Sequence, residues 1–480
     1  MTNHETLNKP PYGMIAILFV GAFVSFVNET FLNVALPSIM KDFEISPSSA
    51  QWLSTGYMLI NGILIPASAF LLQKFTNRQL YLTAMSLFTA GTVLASLSPT
   101  FGVLLVARMF QAAGSAIMAP LLMNVMLVAF PVERRGTAMG FFGLVMITAP
   151  AIGPTLSGWI VEHYSWRTLF DIVIPIAALT LILAIFKLKN ILPQKQISLD
   201  ILSLILSSIG FGGILYGFSS AGEKGWDSVH VYGTIIVGTI SLVLFIVRQL
   251  KMEEPLLQFR IYKYPMFALS SAISIVLSMT MFSAMLLMPI YIQTIRGISP
   301  FDSGLLMLPG AIIMGIMSPI TGRLFDKFGA RALAIIGLSI TIFTTYEFSH
   351  LTMDTSYSFL MLMYSLRMLG MSMVMMPVMA NGINQLPQTM NPHATAMNNT
   401  LQQVSGAAGS ALLVTLMQNK AESEAERLAQ AAAGDPAKMA DIMNEAMLNG
   451  INFSFKISLL IALIALVLTF FIKRAKPEGE

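Results

Sequence analysis

The sequence predicts an all-α polytopic membrane protein, built as two similar six-helix bundles with two further helices inserted between them. Three observations lead to this fold class. The chain of 480 residues is 55% hydrophobic and only 11% charged, whereas soluble domains carry about a quarter charged residues. It contains fourteen apolar stretches long enough to cross a bilayer. Finally, the first six stretches resemble the last six.

Each predicted span has about 20 predominantly apolar residues, the length that an α-helix needs to cross the hydrocarbon core. The spans, numbered 1 to 14, cover residues 14–36, 52–72, 81–99, 103–129, 137–161, 167–187, 198–219, 229–248, 266–292, 304–322, 332–351, 357–380, 394–417 and 451–472.

Lysine and arginine residues collect in alternate connections, from Lys74 and Arg78 after span 2 to Lys473 and Arg474 after span 14. Cytoplasmic loops carry such an excess, so we expect both termini in the cytoplasm. The polar N-terminus precedes an apolar run too long for a signal-peptide core, which indicates that span 1 is not cleaved.

The chain also repeats itself at an offset of about 250 to 260 residues. The stretch 65–78 recurs at 318–331, and Arg108 aligns with Arg367. Spans 1–6 therefore correspond to spans 9–14, an organisation typical of transporters. The predicted domains are an N-terminal bundle at 1–190, inserted spans 7 and 8 with an inner interfacial segment at 191–262, and a C-terminal bundle at 263–480.

Two connections have a composition of their own. Residues 250–265 mix apolar and basic side chains and are expected to lie flat in the headgroup layer. The outer loop 418–450 is predicted to form two short helices around a Gly434–Pro436 turn. It is interpreted as a solvated connector, and a cover over the outer mouth is the alternative. That alternative rests on an apolar stripe of Met439, Ile442, Met443 and Met447.

Glu29 is a carboxylate inside span 1, where a charge costs several kcal/mol unless it faces the bundle interior or water. Ser25, Glu29 and Asn33 are spaced to share one helix face. Counting from the outer helix ends at 1.5 Å per residue places Glu29 about 12 Å deep and Arg108 about 9 Å deep, so the two charges can meet. A carboxylate that alternates between a desolvated site and an arginine takes up and releases a proton. A permanent ion pair, or a glutamate held by hydroxyls and amides, is the structural alternative.

Other polar side chains extend this candidate site. Arg108, Gln111 and Ser115 share a face of span 4, and Arg367 lies in a methionine-rich stretch of span 12. Methionine suits a cavity that accepts varied shapes, although ordinary core packing explains it equally well. The predicted cavity residues are Ser25, Asn33, Asn61, Gln111, Ser115, Arg367, Met371 and Met375.

Span 5 combines small residues with prolines. Small residues let another helix approach closely, and prolines bend a span. The residues concerned are Gly140, Ala149, Gly153, Pro154 and Gly158.

The inner connection between spans 10 and 11 is predicted to be a tight turn and a conformational latch. Gly322 and Gly329 permit the turn, and Asp326 can cap the next helix or pair with a basic residue nearby. Lys327 and Arg331 supply positive charge, and simple loop structure is the alternative.

Asp171 follows Arg167 by four residues at the outer start of span 6, which predicts an ion pair between them. Asp171 is a second candidate for proton coupling. The chain has no cysteine, no phosphate-binding loop with the G-x-x-x-x-G-K-[ST] pattern, and no H-E-x-x-H motif. These absences argue against ATP-driven transport by this chain alone, a metal site or an enzyme.

These stretches together resemble the major facilitator superfamily, and in particular its fourteen-helix drug:proton antiporter branch. "NETFLNVALP" (28–37) is similar to the helix-1 signature, "LLVARMFQAAG" (104–114) to the helix-4 arginine motif and "GPTLSG" (153–158) to the helix-5 antiporter motif. "GRLFDKFGAR" (322–331) is similar to the loop signature and "SWRTLF" (165–170) to a helix-6 element. Within the branch, the chain looks most like the lincomycin-resistance exporters of Gram-positive bacteria.

The resemblance implies a major facilitator fold in which Arg108 acts in the proton relay and Asp326 in the latch. The helix-5 motif would restrict leakage between the bundles. Transport would be driven by the proton gradient without a cofactor. The implied partners are small-molecule drugs, protons and the lipid bilayer, with no nucleic acid and no obligatory protein partner.

Three positions depart from the family pattern. The helix-1 acid normally stands two residues before the threonine, where this chain has Asn28. Glu29 comes one residue later, a rotation of about 100° around the helix. In the first loop motif Gln73 and Thr76 replace aspartate and glycine, so the latch is expected to depend on the second copy. Ala112 replaces a glycine of the helix-4 motif.

The sequence thus predicts a plasma-membrane exporter that moves amphipathic drugs outward in exchange for protons by alternating access, with lincosamides as candidate drugs. An exporter of a metabolite, lipid or siderophore on the same scaffold is the first alternative. A passive channel or a membrane sensor is the second, and the internal duplication argues against it because neither function needs two mobile halves.

Overall fold

The computed structural model describes residues 11–129, 149, 152–191, 194, 200–253, 255–387, 390–431 and 439–473. The first bundle consists of α1 (Tyr12–Phe43), α2 (Pro47–Lys74), α3 (Asn77–Ser96), α4 (Phe101–Ala129), α5 (152–163) and α6 (Thr168–Lys187). The inserted pair is α7 (Ile201–Lys224) and α8 (Val229–Lys251). The second bundle consists of α9 (Pro265–Ile290), α10 (Pro300–Phe348), α11 (Tyr357–Asn384), α12 (Asn391–Ala431) and α13 (Met439–Thr469).

The described part of the chain is helical without strands, and ten of its segments are long and apolar enough to span a membrane. The predicted all-α polytopic class is confirmed. The count of fourteen spans and the cytoplasmic termini stay predictions. We call the two ends of the helices inner and outer according to the predicted topology.

Predicted span 10 and all but the last three residues of predicted span 11 lie in α10, a helical run of 49 residues that is broken at Gly329. Gly329 has φ +76° and ψ 174°, a conformation that residues with a Cβ atom rarely adopt. The predicted tight turn therefore depends on this one glycine, whereas Gly322 lies within the helical part of the run.

The start of α3 explains one departure from the family pattern. Thr76 is the N-cap of α3: its side chain accepts a hydrogen bond from the backbone N–H of Gln79, and the Gln79 side chain reaches back to the backbone N–H of Thr76. This capping box satisfies backbone donors that a helix start otherwise leaves unpaired. Thr76 thus has a structural role that glycine would not fill.

The two bundles share one packing pattern, as the internal repeat predicts. In the first bundle α1 and α3 both contact α4 and α6, and in the second bundle α9 and α10 both contact α11 and α13. Glycines permit the matching close approaches. A Cβ atom on Gly91 would lie 2.7 Å from the carbonyl oxygen of Ala107, and one on Gly337 would lie 2.4 Å from that of Gly370.

The inserted helices α7 and α8 form a hairpin that bridges the bundles. Asp200, just before α7, accepts hydrogen bonds from Arg248 near the end of α8 at 2.7 and 3.0 Å, which ties the inner ends of the pair together. The helix α7 contacts α2 of the first bundle and α12 of the second.

The inner connection 250–265 packs largely against protein. A 3-10 turn at Phe259–Lys263 follows α8, and the side chains of Leu257 and Ile261 are fully buried. They belong to a hydrophobic cluster that includes Phe245 of α8 and Phe267 of α9. The apolar residues that the sequence assigns to the headgroup layer therefore anchor the hairpin to the second bundle.

The outer connection 418–450 differs from the two separate short helices that the sequence predicts. The helix α12 continues to Ala431 and α13 begins at Met439, so the membrane helices themselves extend through most of it. The extension of α12 is rich in alanine, glutamate and glutamine, which are strong helix formers. The predicted turn at 434–436 lies outside the described residues.

The apolar stripe on the start of α13 is only partly covered. Ile442 is buried, but Met439 is 43% exposed and Met443 is 55% exposed. Half-exposed methionines fit the solvated connector better than a closed cover.

The predicted topology can be tested with single cysteines, because the chain has none of its own. Lys224 at the outer end of α7 and Lys251 at the inner end of α8 are both exposed. In intact cells, a membrane-impermeant maleimide should label Lys224→Cys and should label Lys251→Cys only after permeabilisation. The opposite pattern would reverse the assignment of inner and outer faces.

Candidate functional site

Arg108 on α4 is the centre of a buried hydrogen-bond network. Its side chain is 1% exposed. One terminal nitrogen, Nη1, donates to Asn28 Oδ1 on α1 at 2.9 Å and to Gln111 Oε1 at 2.7 Å. Gln111 Nε2 in turn donates to Thr92 Oγ1 on α3 at 2.9 Å. A single guanidinium group thus connects three helices of the first bundle.

The same guanidinium group stacks on an aromatic ring of α2. Its central carbon lies 4.3 Å from the ring centroid of Tyr57, which is itself fully buried. A desolvated cation over an aromatic face is stabilised by about 2 kcal/mol. The Tyr57 hydroxyl lies close to Ser115, so the predicted polar face of α4 continues toward α2.

Glu29 lies beside this network without belonging to it. Its side chain is half-buried and within electrostatic range of Arg108 and Tyr57. The residue that Arg108 contacts directly is Asn28, at the position where the family pattern has an acid. The shift by one residue therefore places a neutral amide against the arginine and leaves the carboxylate on a neighbouring part of the α1 surface.

The buried surfaces of α1 and α2 contain polar atoms without a hydrogen-bond partner among the described residues. They are Ser25 Oγ, the side-chain nitrogen Asn28 Nδ2 and Asn61 Oδ1. Buried polar atoms in proteins are nearly always satisfied by protein or by ordered water. Ser25, Asn28 and Asn61 therefore provide positions at which ordered water would complete the hydrogen bonding. The side chain of Asn33 lies outside the described residues.

Arg367 on α11 repeats the arrangement of Arg108 in the second bundle. It is fully buried and donates from Nη2 to the backbone carbonyl of Thr280 on α9 at 3.0 Å, and from Nη1 to Thr345 Oγ1 on α10. In the numbering of the predicted spans, Arg108 connects spans 1, 3 and 4, and Arg367 connects the corresponding spans 9, 11 and 12. Arg367 has no carboxylate within 4 Å among the described residues.

The two methionines predicted to line the cavity have different surroundings. Met371 is fully buried in a hydrophobic cluster with Leu338 and Val374 of the second bundle, which is ordinary core packing. Met375 is half-buried. Met371 thus lies inside the bundle, and Met375 keeps some accessible surface.

The small residues of the helix-5 motif permit contacts of α5 with both bundles. A Cβ atom on Gly153 would lie 1.9 Å from Thr30 Oγ1 on α1, and one on Gly158 would lie 2.2 Å from the backbone oxygen of Pro300 at the start of α10. Ala149 and Pro154 are buried. Gly140 lies outside the described residues.

Hydrogen bonds join the bundles at their outer ends. Gln293 in the π-helical end of α9 donates to the Val34 carbonyl of α1 at 2.9 Å. The backbone N–H of Phe301 donates to Glu162 at 3.1 Å, and that of Ser48 donates to the Gln418 side chain at 3.2 Å. These contacts hold the outer side of the molecule closed between the bundles.

The predicted inner latch is only partly described. Lys327 and Arg331 are exposed, and the Lys327 ammonium lies 5.2 Å from the ring centroid of Phe328. The side chain of Asp326 lies outside the described residues.

The predicted ion pair between Arg167 and Asp171 is wrong. Arg167 Nη1 instead pairs with Asp42 at the end of α1 at 2.8 Å, and Nη2 donates to the Ser98 carbonyl at 3.0 Å. Asp171 is exposed and accepts a hydrogen bond from Ser96. Arg167 does not pair with Asp171 because it lies just before α6, not inside the helix, and its side chain extends toward Asp42 and Ser98.

Asp42 is the residue that the sequence analysis missed in this cluster. It also accepts a hydrogen bond from Trp166 Nε1 at 3.1 Å, and hydrogen bonds from Arg167 and Trp166 lower its pKa. The helix-6 element therefore acts with the end of α1, and both members of its Trp-Arg pair contact one carboxylate. The spacing of 124 residues between Asp42 and Trp166 gave no local signal.

Two similar helical bundles in a membrane are an architecture typical of transporters. The chain belongs to the Major Facilitator Superfamily, whose family model matches residues 18–410. It is 48% identical over 480 residues to the "Uncharacterized MFS-type transporter YcnB" of Bacillus subtilis, covering 99% of both chains. It is 43% identical over 466 residues to the "Lincomycin resistance protein LmrB" of Listeria monocytogenes, covering 97% of this chain and 98% of that one.

Solved structures show the same fold at low sequence identity. A D-xylose-proton symporter has a TM-score of 0.67 and 15% identity, covering 98% of this chain and 99% of that chain. The family and these relatives identify a multi-pass membrane transporter rather than an enzyme. The two relatives named above come from the Gram-positive genera Bacillus and Listeria.

The role of Asn28 in holding Arg108 can be measured as stability. Asn28→Ala removes an acceptor from a buried cation, which should lower the free energy of unfolding by about 1–3 kcal/mol. Asn28→Asp keeps an acceptor and should be more stable than the alanine variant. Thermal unfolding of the purified protein in detergent compares the three proteins. Equal stability of wild type and Asn28→Ala would show that this hydrogen bond does not hold the arginine.

The outer closure can be tested at Gly304, where a Cβ atom would lie 2.4 Å from the Pro154 carbonyl oxygen of α5. Gly304→Leu should push α10 away from α5 and should uncover Thr155, whose hydroxyl donates to the Gly304 carbonyl oxygen at 3.2 Å. In a Thr155→Cys background, labelling by an impermeant maleimide added from outside should rise. Gly102→Leu is the matched control, because a Cβ atom there has no neighbour within 4 Å. An equal response of both variants would contradict the closure at Gly304.

Proposed function

We propose that this transporter is a proton-coupled multidrug efflux antiporter that exports amphipathic drugs across the plasma membrane by alternating access. The observation that carries the proposal is the arrangement around Arg108. A buried cation is held by the neutral amides of Asn28 and Gln111, while the carboxylate of Glu29 lies beside it half-buried.

This arrangement suits reversible protonation of Glu29. Glu29 forms no ion pair within 4 Å with any other residue that the structure describes. Its proton therefore need not compete with a direct salt bridge. A carboxylate at membrane depth is stabilised by protonation when it is desolvated, and by ionisation when water or the Arg108 charge approaches. A change of its surroundings during the transport cycle would thus bind and release a proton.

The two halves supply the movement. Their matched packing supports rigid-body rocking of one bundle against the other, the usual form of alternating access. The contacts at Val34–Gln293 and Gly158–Pro300 close the outer side, and opening toward that side requires them to separate. The turn at Gly329 interrupts the 49-residue run of α10 on the predicted inner side, away from these contacts.

The drug class is inferred from the relatives. The lincomycin resistance protein of Listeria aligns with nearly the whole chain at 43% identity, and lincosamides are therefore the first drugs to test. A metabolite, lipid or siderophore as cargo stays the alternative on the same scaffold. Membership of a transporter family disfavours the passive channel and the membrane sensor.

Replacement of Glu29 tests the coupling. Glu29→Gln preserves the shape of the side chain but removes its titration, so drug-dependent proton movement in everted vesicles should fall to background. Drug exchange without a proton gradient should persist in proteoliposomes, which shows that the variant is folded. Full proton-driven efflux by Glu29→Gln would contradict the assignment.

Two further variants make this assay specific. Glu445→Gln changes an exposed carboxylate at the outer start of α13 and should behave like wild type. Asp171→Asn tests the second candidate for coupling. A loss of proton movement in Asp171→Asn with full coupling in Glu29→Gln would transfer the role to Asp171.

A further inference from the structure

A basic pocket lies on the outer face of the second bundle, remote in sequence from the residues around Arg108. It is formed by the end of α10, the extension of α12 and the first turns of the α13 membrane segment. Its volume is about 480 Å³. The side chains that carry the argument are Lys420, Glu424, Arg427, Asn449, Asn452 and Lys456.

The pocket has an excess of positive charge. Lys420 and Arg427 both pair with Glu424 at 2.7 Å, and these contacts lower the pKa of that carboxyl group. Lys456 has no carboxylate within 4 Å among the described residues. Three cations against one carboxylate leave two positive charges in the lining that the structure describes. A bound anion would neutralise part of this excess positive charge.

The position of Lys456 identifies the source of that anion. Lys456, Leu460 and Ile464 are spaced i, i+4 and i+8, so they share one face of α13. Leu460 and Ile464 are each 57% exposed, and apolar side chains exposed on a membrane helix face lipid. Lys456 is exposed at the outer end of this stripe, about 7.5 Å below the predicted start of the span at residue 451. A lysine at this depth extends toward the headgroups.

The polar wall of the pocket is fixed in place. The side chain of Asn452 donates to the Leu351 carbonyl at 2.9 Å and accepts from the Leu351 N–H at 3.1 Å. This pair of bonds fastens α13 to the end of α10. Asn449 lies one turn earlier on α13 and offers an uncharged hydrogen-bonding group beside the cations.

We propose that the basic pocket binds the phosphate group of an anionic phospholipid from the outer leaflet. Lys456 and Arg427 contact the phosphate oxygens, and Asn449 contacts a headgroup hydroxyl. The acyl chains lie along Leu460 and Ile464. The apolar stripe continuous with the pocket distinguishes a lipid from free phosphate, which would gain nothing from it. This site is independent of the proposed proton coupling.

Lipid binding to the purified full-length protein can be measured by native mass spectrometry. Phosphatidylglycerol should be retained by wild type and by Lys456→Arg. Lys456→Gln should retain about fivefold less, because one cation near a headgroup contributes about 1 kcal/mol. Lys224→Gln is the matched control, since Lys224 lies at the outer end of another apolar helix but outside the pocket, and it should retain as much lipid as wild type.

Two other ligands test whether the bound phosphate group belongs to an anionic lipid, to a neutral lipid or to free inorganic phosphate. Phosphatidylcholine, whose headgroup carries no net charge, should bind less tightly and should respond little to Lys456→Gln. Inorganic phosphate should not displace phosphatidylglycerol at equal concentration. Unchanged phosphatidylglycerol retention in Lys456→Gln, equal retention of both lipids, or displacement by inorganic phosphate would each overturn the proposal.

Discussion

The cost of placing a charged group inside a bilayer is the constraint on which this molecule depends. A guanidinium group at membrane depth must be hydrogen-bonded to remain charged. Arg108 meets this need with Asn28, Gln111 and the ring of Tyr57, and Arg367 meets it with a hydroxyl and a backbone carbonyl. Each arginine thereby fastens three helices of its bundle together, so the same contacts that tolerate the charge also make each bundle a rigid unit.

The two halves are alike in packing but differ in chemistry. The first bundle places the carboxylate of Glu29 near its arginine, whereas Arg367 has no such neighbour within ion-pair distance among the described residues. In the proposed cycle, protonation therefore acts on the first bundle and the second serves as the surface against which it moves. A neutral residue at Asn28 matters here, because it holds Arg108 in place whether or not Glu29 carries a proton.

The sequence predicted the membrane class, the internal repeat and the shared face of Arg108 and Gln111, because these follow from local hydropathy and helical spacing. The predictions from sequence were wrong or incomplete where a contact joins residues that are distant in the chain. Arg167 lies four residues before Asp171, yet its partner is Asp42, which is distant in sequence. The capping role of Thr76 looked like a degraded loop motif, since cap geometry is set by the backbone of α3. The contact of Arg108 with Asn28 depends on the rotation of α1, which sequence spacing alone does not fix.

Proton release on drug binding is the most direct test of the central claim, that Glu29 carries the coupled proton. Purified protein in weakly buffered detergent solution is mixed with a lincosamide, and the pH change is recorded with a dye. The account predicts that wild type releases protons when the drug binds and that Glu29→Gln binds the drug without release. Equal release by both proteins would contradict it.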